Sequence, residues 1–77
     1  MDRENAKTRN KLKQIHSVRD FENLLEQTML SEEDKLILRM HYKEQQTLGY
    51  IADTLGMSEI TIKKKHKKIL LKIGRMF

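Results

Sequence analysis

The chain has 77 residues, 38% of them hydrophobic, which suits one small domain with a modest core. It contains no cysteine, so disulfides and thiolate metal sites are excluded, and no apolar run approaches the ~20 residues of a membrane span or the h-region of a secretory signal. The expected location is therefore the cytoplasm.

The net charge of +5 is unevenly spread. Residues 1–20 carry six Lys/Arg against three Asp/Glu, residues 21–57 carry three against seven, and residues 58–77 carry seven against one. Positive charge gathered at the two ends concentrates field where a polyanion can use it, with nucleic acid the first candidate and an anionic membrane surface the second. Proline is absent and glycine occurs only at Gly49, Gly56 and Gly74, so the chain reads as all-α, a small helical bundle of four to five helices.

Residues 1–16 are polar and basic, with Leu12 and Ile15 as apolar anchors, and read as a basic N-terminal arm or frayed helix set apart from a domain over 17–77. Ser17 with Asp20 resembles a capping box, and Val18, Phe21, Leu24, Leu25 and Thr28 recur at helical spacing to form a first core face. Ser31 with Asp34 repeats the device. Glu32, Glu33 and Asp34 load the first turn of that helix with the charge its dipole favours, which accounts for the acidic triplet without a metal or catalytic role. Leu36, Ile37, Met40 and His41 are the expected buried face, and Lys43 to Gln46 the loop that follows.

From Thr47 to Ile73 the chain has the grammar of a helix-turn-helix. Thr47 is the N-cap of a helix that buries Leu48, Ile51, Ala52 and Leu55, Gly56 closes it, and Ser58 caps the next helix, with Glu59 in its first turn. At ~100° per residue, Ile62, His66, Ile69 and Ile73 fall in one stripe with Leu70 on its flank, which is the core face. Ile60, Lys63, Lys64 and Lys67 cluster opposite, bordered by Thr61 and Lys68. Lysines packed this closely repel one another in a bare helix, which points to an anionic partner.

A helix entering the major groove sets its N-terminal residues nearest the base edges, so Glu59, Ile60, Thr61, Lys63 and Lys64 are the candidate readers, with Lys67 and Lys68 about a turn further on. Thr47, with the free amides of its helix, and Tyr50 through its hydroxyl are placed to grip a phosphate, and Ser58 is a further candidate DNA contact. Leu71, with Met76 and Phe77, makes a candidate patch for a protein partner or a second copy of the chain. The histidines His16, His41 and His66 show no ligand spacing, so neither metal nor cofactor is expected, and His66 reads as a packing histidine. No nucleophile–base pair, Gly-rich phosphate loop or carboxylate pair argues for an enzyme.

Over Leu30 to Ile73 the chain resembles the −35-reading C-terminal region of bacterial sigma factors, region 4. The matching residues are Leu30-Ser31-Glu32-Glu33-Asp34, Leu38-Arg39-Met40 with Tyr42, Ile51-Ala52 with Leu55-Gly56-Met57-Ser58, Thr61-Ile62-Lys63 and Lys72-Ile73. The same elements, with Lys72-Ile73-Gly74, are also similar to the C-terminal DNA-binding domain of LuxR/GerE-type regulators. The resemblance implies a helical scaffold that places a recognition helix over about residues 58–73 in the major groove of duplex DNA, with RNA polymerase as a further partner. Sigma-type domains commonly carry acidic residues where this chain has Gly49 and Tyr50, and a large apolar residue where it has His66. The residues before Leu30 are too few for a promoter-melting region. The expectation is a stand-alone, sigma-like transcription regulator of the kind carried by phages, plasmids and conjugative elements. The alternative is a protein-interaction module that docks on polymerase or a sigma factor and uses DNA little.

Overall fold

Hydroxyl side chains decide where four of the helices start. Ser17, Ser31, Thr47 and Ser58 each accept a hydrogen bond from the backbone N–H three residues on, at 3.3, 3.2, 3.1 and 3.1 Å. Each supplies a partner to an amide that the helix itself leaves unsatisfied, an effect worth about 1 kcal/mol per cap. The computed structural model describes residues 3–76, and side chains from Asn5 onward.

The described residues form five α-helices: α1 (Arg3–Gln14), α2 (Val18–Gln27), α3 (Glu32–Leu38), α4 (Leu48–Leu55) and α5 (Glu59–Gly74). No strand occurs among the described residues. Helix α3 runs without a break into a π-helical turn, Arg39–Lys43. The longest helix, α5, is the hub, packing chiefly against α1 and α4 and also against α3. Its residues Ile62, Ile69 and Ile73 meet Leu12 of α1, Phe21 and Leu25 of α2, Ile37 and Leu38 of α3 and Ile51 of α4 in one buried cluster.

Polar contacts hold the helices in register. Arg39 donates through Nε and Nη2 to the two carboxylate oxygens of Glu22, each at 2.7 Å, which ties α2 to the π turn. The paired hydrogen bonds hold the Glu22 carboxyl below its usual range. The Lys43 ammonium donates to the carbonyl of Ile15 at the end of α1 and stands 4.9 Å from the centroid of the Phe21 ring.

The structure departs from the sequence reading at several positions. Val18 is 64% exposed, because it is the first residue of α2 and lies beyond the edge of the core that Phe21 and Leu25 fill. Ile37 and Met40 are buried as expected, but Leu36 is exposed and Leu38 is fully buried in its place. His41 is half-buried rather than a core residue. The segment expected to be a loop from Lys43 begins a residue later, since the π turn runs through Lys43 and is closed by Glu44 N–H on Arg39 C=O at 3.0 Å. Gln46 N–H then bonds back to Met40 C=O at 2.9 Å, and Gln45 takes a left-handed φ of 57° to make that return. Residues 3–14, read as an arm or frayed helix, form α1. Its Leu12 is 1% exposed, and Asn5 and Thr8 are buried on the same face.

Candidate nucleic-acid interface

Gly56 makes the short connection from α4 to α5. It sits at φ 70°, ψ 33°, the left-handed conformation that costs a residue with a Cβ about 1–2 kcal/mol. With Gly56 turned this way, Met57 N–H reaches Ala52 C=O at 2.8 Å and Met57 packs partly into the core. The chain then re-enters helix at Ser58. Ser58 Oγ accepts from Thr61 N–H and also lies 2.8 Å from Thr61 Oγ1, so both hydroxyls are held at the start of α5.

The faces of α5 divide as its spacing predicts. Ile62, His66, Ile69, Leu70 and Ile73 are buried, while Glu59, Ile60, Thr61, Lys63, Lys64, Lys67 and Lys68 are exposed. Ile60 is 68% exposed, a large apolar side chain standing in water among lysines. Lys63 Nζ pairs with Glu59 one turn earlier at 2.9 Å. Lys65 turns aside to Glu33 of α3 at 3.1 Å, which fixes the side of α5 against α3 and separates it from the lysine face.

The start of α4 adjoins this surface. Thr47 is exposed as the N-cap, and Tyr50 is 53% exposed in the first turn. The Glu59 side chain of α5 reaches over Gly49, where a Cβ would lie 2.7 Å from Glu59 Oε1. Glu59 therefore lies against the first turn of α4 as well as heading α5, where its charge suits the amide dipoles. Thr47 and Tyr50 thus belong to the start of α4, beside the first turn of α5 with Ser58, Glu59, Ile60 and Thr61, while Lys63 and Lys64 follow one turn along α5 and Lys67 and Lys68 another turn on.

Lys13 of α1 was not among the residues singled out from the sequence. It lines a cleft of about 400 Å³ together with Gln45, Gln46 and Thr47, so α1 delivers a cation next to the α4 cap. No local pattern announces this, since α1 and α4 meet only through the fold. At the other end of α5, Leu71 is 39% and Met76 44% exposed. Phe77, the third member of that patch, lies outside the described residues.

Behind the lysine face lies a group of rings. Tyr42 Oη and His66 Nε2 are 2.8 Å apart, His41 stacks edge-on to both, and His41 Nδ1 donates to Gln46 C=O at 2.8 Å. Burial, reinforced by His41 and Arg9, pushes the His66 imidazole down to about 4 from 6.5, so it is neutral at physiological pH. Burial raises the Tyr42 hydroxyl, which stays protonated and available to that hydrogen bond. His66 packs, as its place in the apolar stripe indicated. Among the described residues no three His, Asp or Glu side chains gather as a metal site, and no helix is long and apolar enough to cross a membrane.

The model of the family described as sigma-70, region 4 matches residues 29–74, the stretch from just after α2 through α5. The chain belongs to the sigma-70 region 4 family. Region 4 is a DNA-binding helix-turn-helix region of sigma factors and transcription regulators, it interacts with RNA polymerase, and it is not enzymatic. No match was found among curated proteins or among solved structures. Within this region 4 domain, α4 and α5 are the helix-turn-helix, and α1 and α2 lie outside the matched stretch.

Proposed function

We propose that this region 4 domain is a sequence-specific, DNA-binding transcription regulator that seats α5 in the major groove. The observation that carries the reading is the exposed side of α5, where Ile60 and Thr61 stand among Lys63, Lys64, Lys67 and Lys68 immediately after a capped, glycine-closed turn. Lys63 and Lys64 donate to guanine acceptors, Thr61 serves either base type, and Ile60 meets a thymine methyl. Glu59 accepts from cytosine when it leaves Lys63. Thr47, Tyr50 and Ser58 hold phosphates, and Lys67 and Lys68 add charge without reading sequence.

The test is selection from a random duplex library at near-physiological salt, followed by sequencing of the bound pool. A single short motif supports one reader working beside polymerase, and a palindrome supports a two-fold dimer, with Leu71 and Met76 as its first candidate contacts. Changing Lys64→Ala blurs one position of the motif by about 1–3 kcal/mol, whereas Lys67→Ala weakens binding to every sequence alike. Absence of any motif, with polymerase retention that survives nuclease and neutralisation of Lys63 and Lys64, establishes a polymerase-docking module in its place.

A further inference from the structure

Three cations at the far end of α5 take no part in the reading above. Lys7 and Lys11, one turn apart on α1, and Arg75, just beyond α5, are exposed and line a cleft of about 420 Å³ between the two helices. Leu71 and Gly74 of α5 face Thr8 of α1 across its floor. The helices close up here because residue 74 has no side chain, a Cβ on it falling 2.9 Å from Thr8 Oγ1. Among the described residues that line the cleft, none is acidic.

Helical spacing fixes where this cleft lies relative to the lysine face. Leu71 is four residues beyond Lys67 and seven beyond Lys64, and Arg75 is four beyond Leu71 and seven beyond Lys68. Those intervals return to the same side of a helix, so the cleft continues the exposed side of α5. From Ile60 to Leu71 the axis advances about 16 Å at 1.5 Å per residue. The major groove is only about 12 Å wide. With the first turns of α5 in the groove and its axis directed across the groove, the cleft reaches the sugar-phosphate strand that forms the groove wall.

We infer that the α1–α5 cleft is a second DNA contact, a clamp on the phosphate backbone made by Lys7, Lys11 and Arg75, which rests on the proposed seating of α5. The three cations are exposed along the rim of a partly apolar floor, an arrangement that suits an extended polyanion passing over them. Helix α1, outside the stretch shared with the family, thus lengthens the footprint of the domain beyond what α4 and α5 cover.

The test compares the full chain with its Lys7→Gln, Lys11→Gln, Arg75→Gln variant by fluorescence anisotropy, across a salt series. Two duplexes carrying the selected site are used, one extending well past α5 and one trimmed to the bases α5 covers. Each neutralised phosphate contributes ~0.9 to the slope of log affinity against log salt, so the variant's slope on the long duplex is shallower by about 2–3, with sequence preference intact. On the trimmed duplex the two proteins bind alike. An unchanged slope on the long duplex overturns the inference, as does saturable binding of inorganic phosphate that the variant loses while its duplex slope stays the same. Should the triple variant melt early, exposed Lys7→Gln alone is expected to lower the slope by about 0.9. A Lys63→Gln, Lys64→Gln variant separates the two readings. If it loses affinity while the cleft variant keeps its slope, only the cleft inference falls. If neither changes binding, both fall.

Discussion

Replacing the ring pair behind α5 removes an acid sensitivity that the native fold carries. The buried His66 imidazole has its pKa pushed down to about 4 from 6.5, first by burial, then by His41 and Arg9. A depressed folded pKa gives stability that is fully present above the unfolded value and is lost as pH falls toward the folded one. Between pH 6.5 and about 4 the unfolded chain takes up the proton that the folded chain refuses, so acid favours unfolding. At 1.36 kcal/mol per pH unit the loss reaches about 3 kcal/mol, of which about 2 kcal/mol is already gone at about pH 5.

Against the roughly 4–12 kcal/mol expected for a domain of this size, that loss is large. It corresponds to a Tm lower by roughly 8–16 °C at about pH 5 than at about pH 7.5. The loss tied to Glu22, whose carboxyl is held below 4.5 by Arg39, falls in a lower window, so this pH range separates the two. Thermal melts followed by far-ultraviolet circular dichroism at the two pH values measure the difference. The Tyr42→Phe, His66→Leu variant takes away the imidazole together with the hydroxyl that His66→Leu alone would strand in the core, at a cost of about 1–3 kcal/mol. Its Tm is expected to be nearly flat over the range. A native Tm equal at both pH values, or a double variant that keeps the native drop, refutes the reasoning.

Leu12→Ala is expected to cost about 2–5 kcal/mol in denaturant unfolding, because its side chain is fully enclosed between α1 and the rest of the core; a change below 0.5 kcal/mol would mean that α1 adds nothing to the fold. The glycines at the two ends of α4, Gly49 and Gly56, are expected to respond in opposite ways, read by Tm. Gly49→Ala meets only the end of the flexible Glu59 side chain, so Glu59 shifts and the gain in helix propensity of up to about 1 kcal/mol raises Tm. Gly56→Ala meets nothing within 4 Å, yet its φ of +70° imposes a cost of about 1 kcal/mol and lowers Tm.

What could be read from the sequence was local. A cap is set by residues three apart, which is why Ser17, Ser31, Thr47 and Ser58 each stand at the helix start that their spacing marks. Gly56 closes α4 for the same reason, and α5 is regular enough for uniform spacing to sort its buried stripe from its lysines. The π turn was not legible. It depends on Arg39 being drawn to Glu22 and on the return from Gln46 to Met40, contacts that no helical period encodes, and the adjoining stripe on α3 is displaced to bury Leu38 in place of Leu36. Nor was the packing of α1, whose buried face is Asn5, Thr8 and Leu12, two polar residues and one apolar one, so hydropathy gives it the look of a solvated tail.

That failure bears on function. The helix that hydropathy hides contributes Lys13 next to the α4 cap and Lys7 and Lys11 next to the end of α5, while its buried side supports the C-terminal half of α5 as α4 supports the other. A helix held along its whole length presents Ile60 to Lys68 in one orientation, so the ordering cost is met in folding and not at the moment of DNA binding. Removing α1 would therefore loosen the candidate reading face without touching a residue on it.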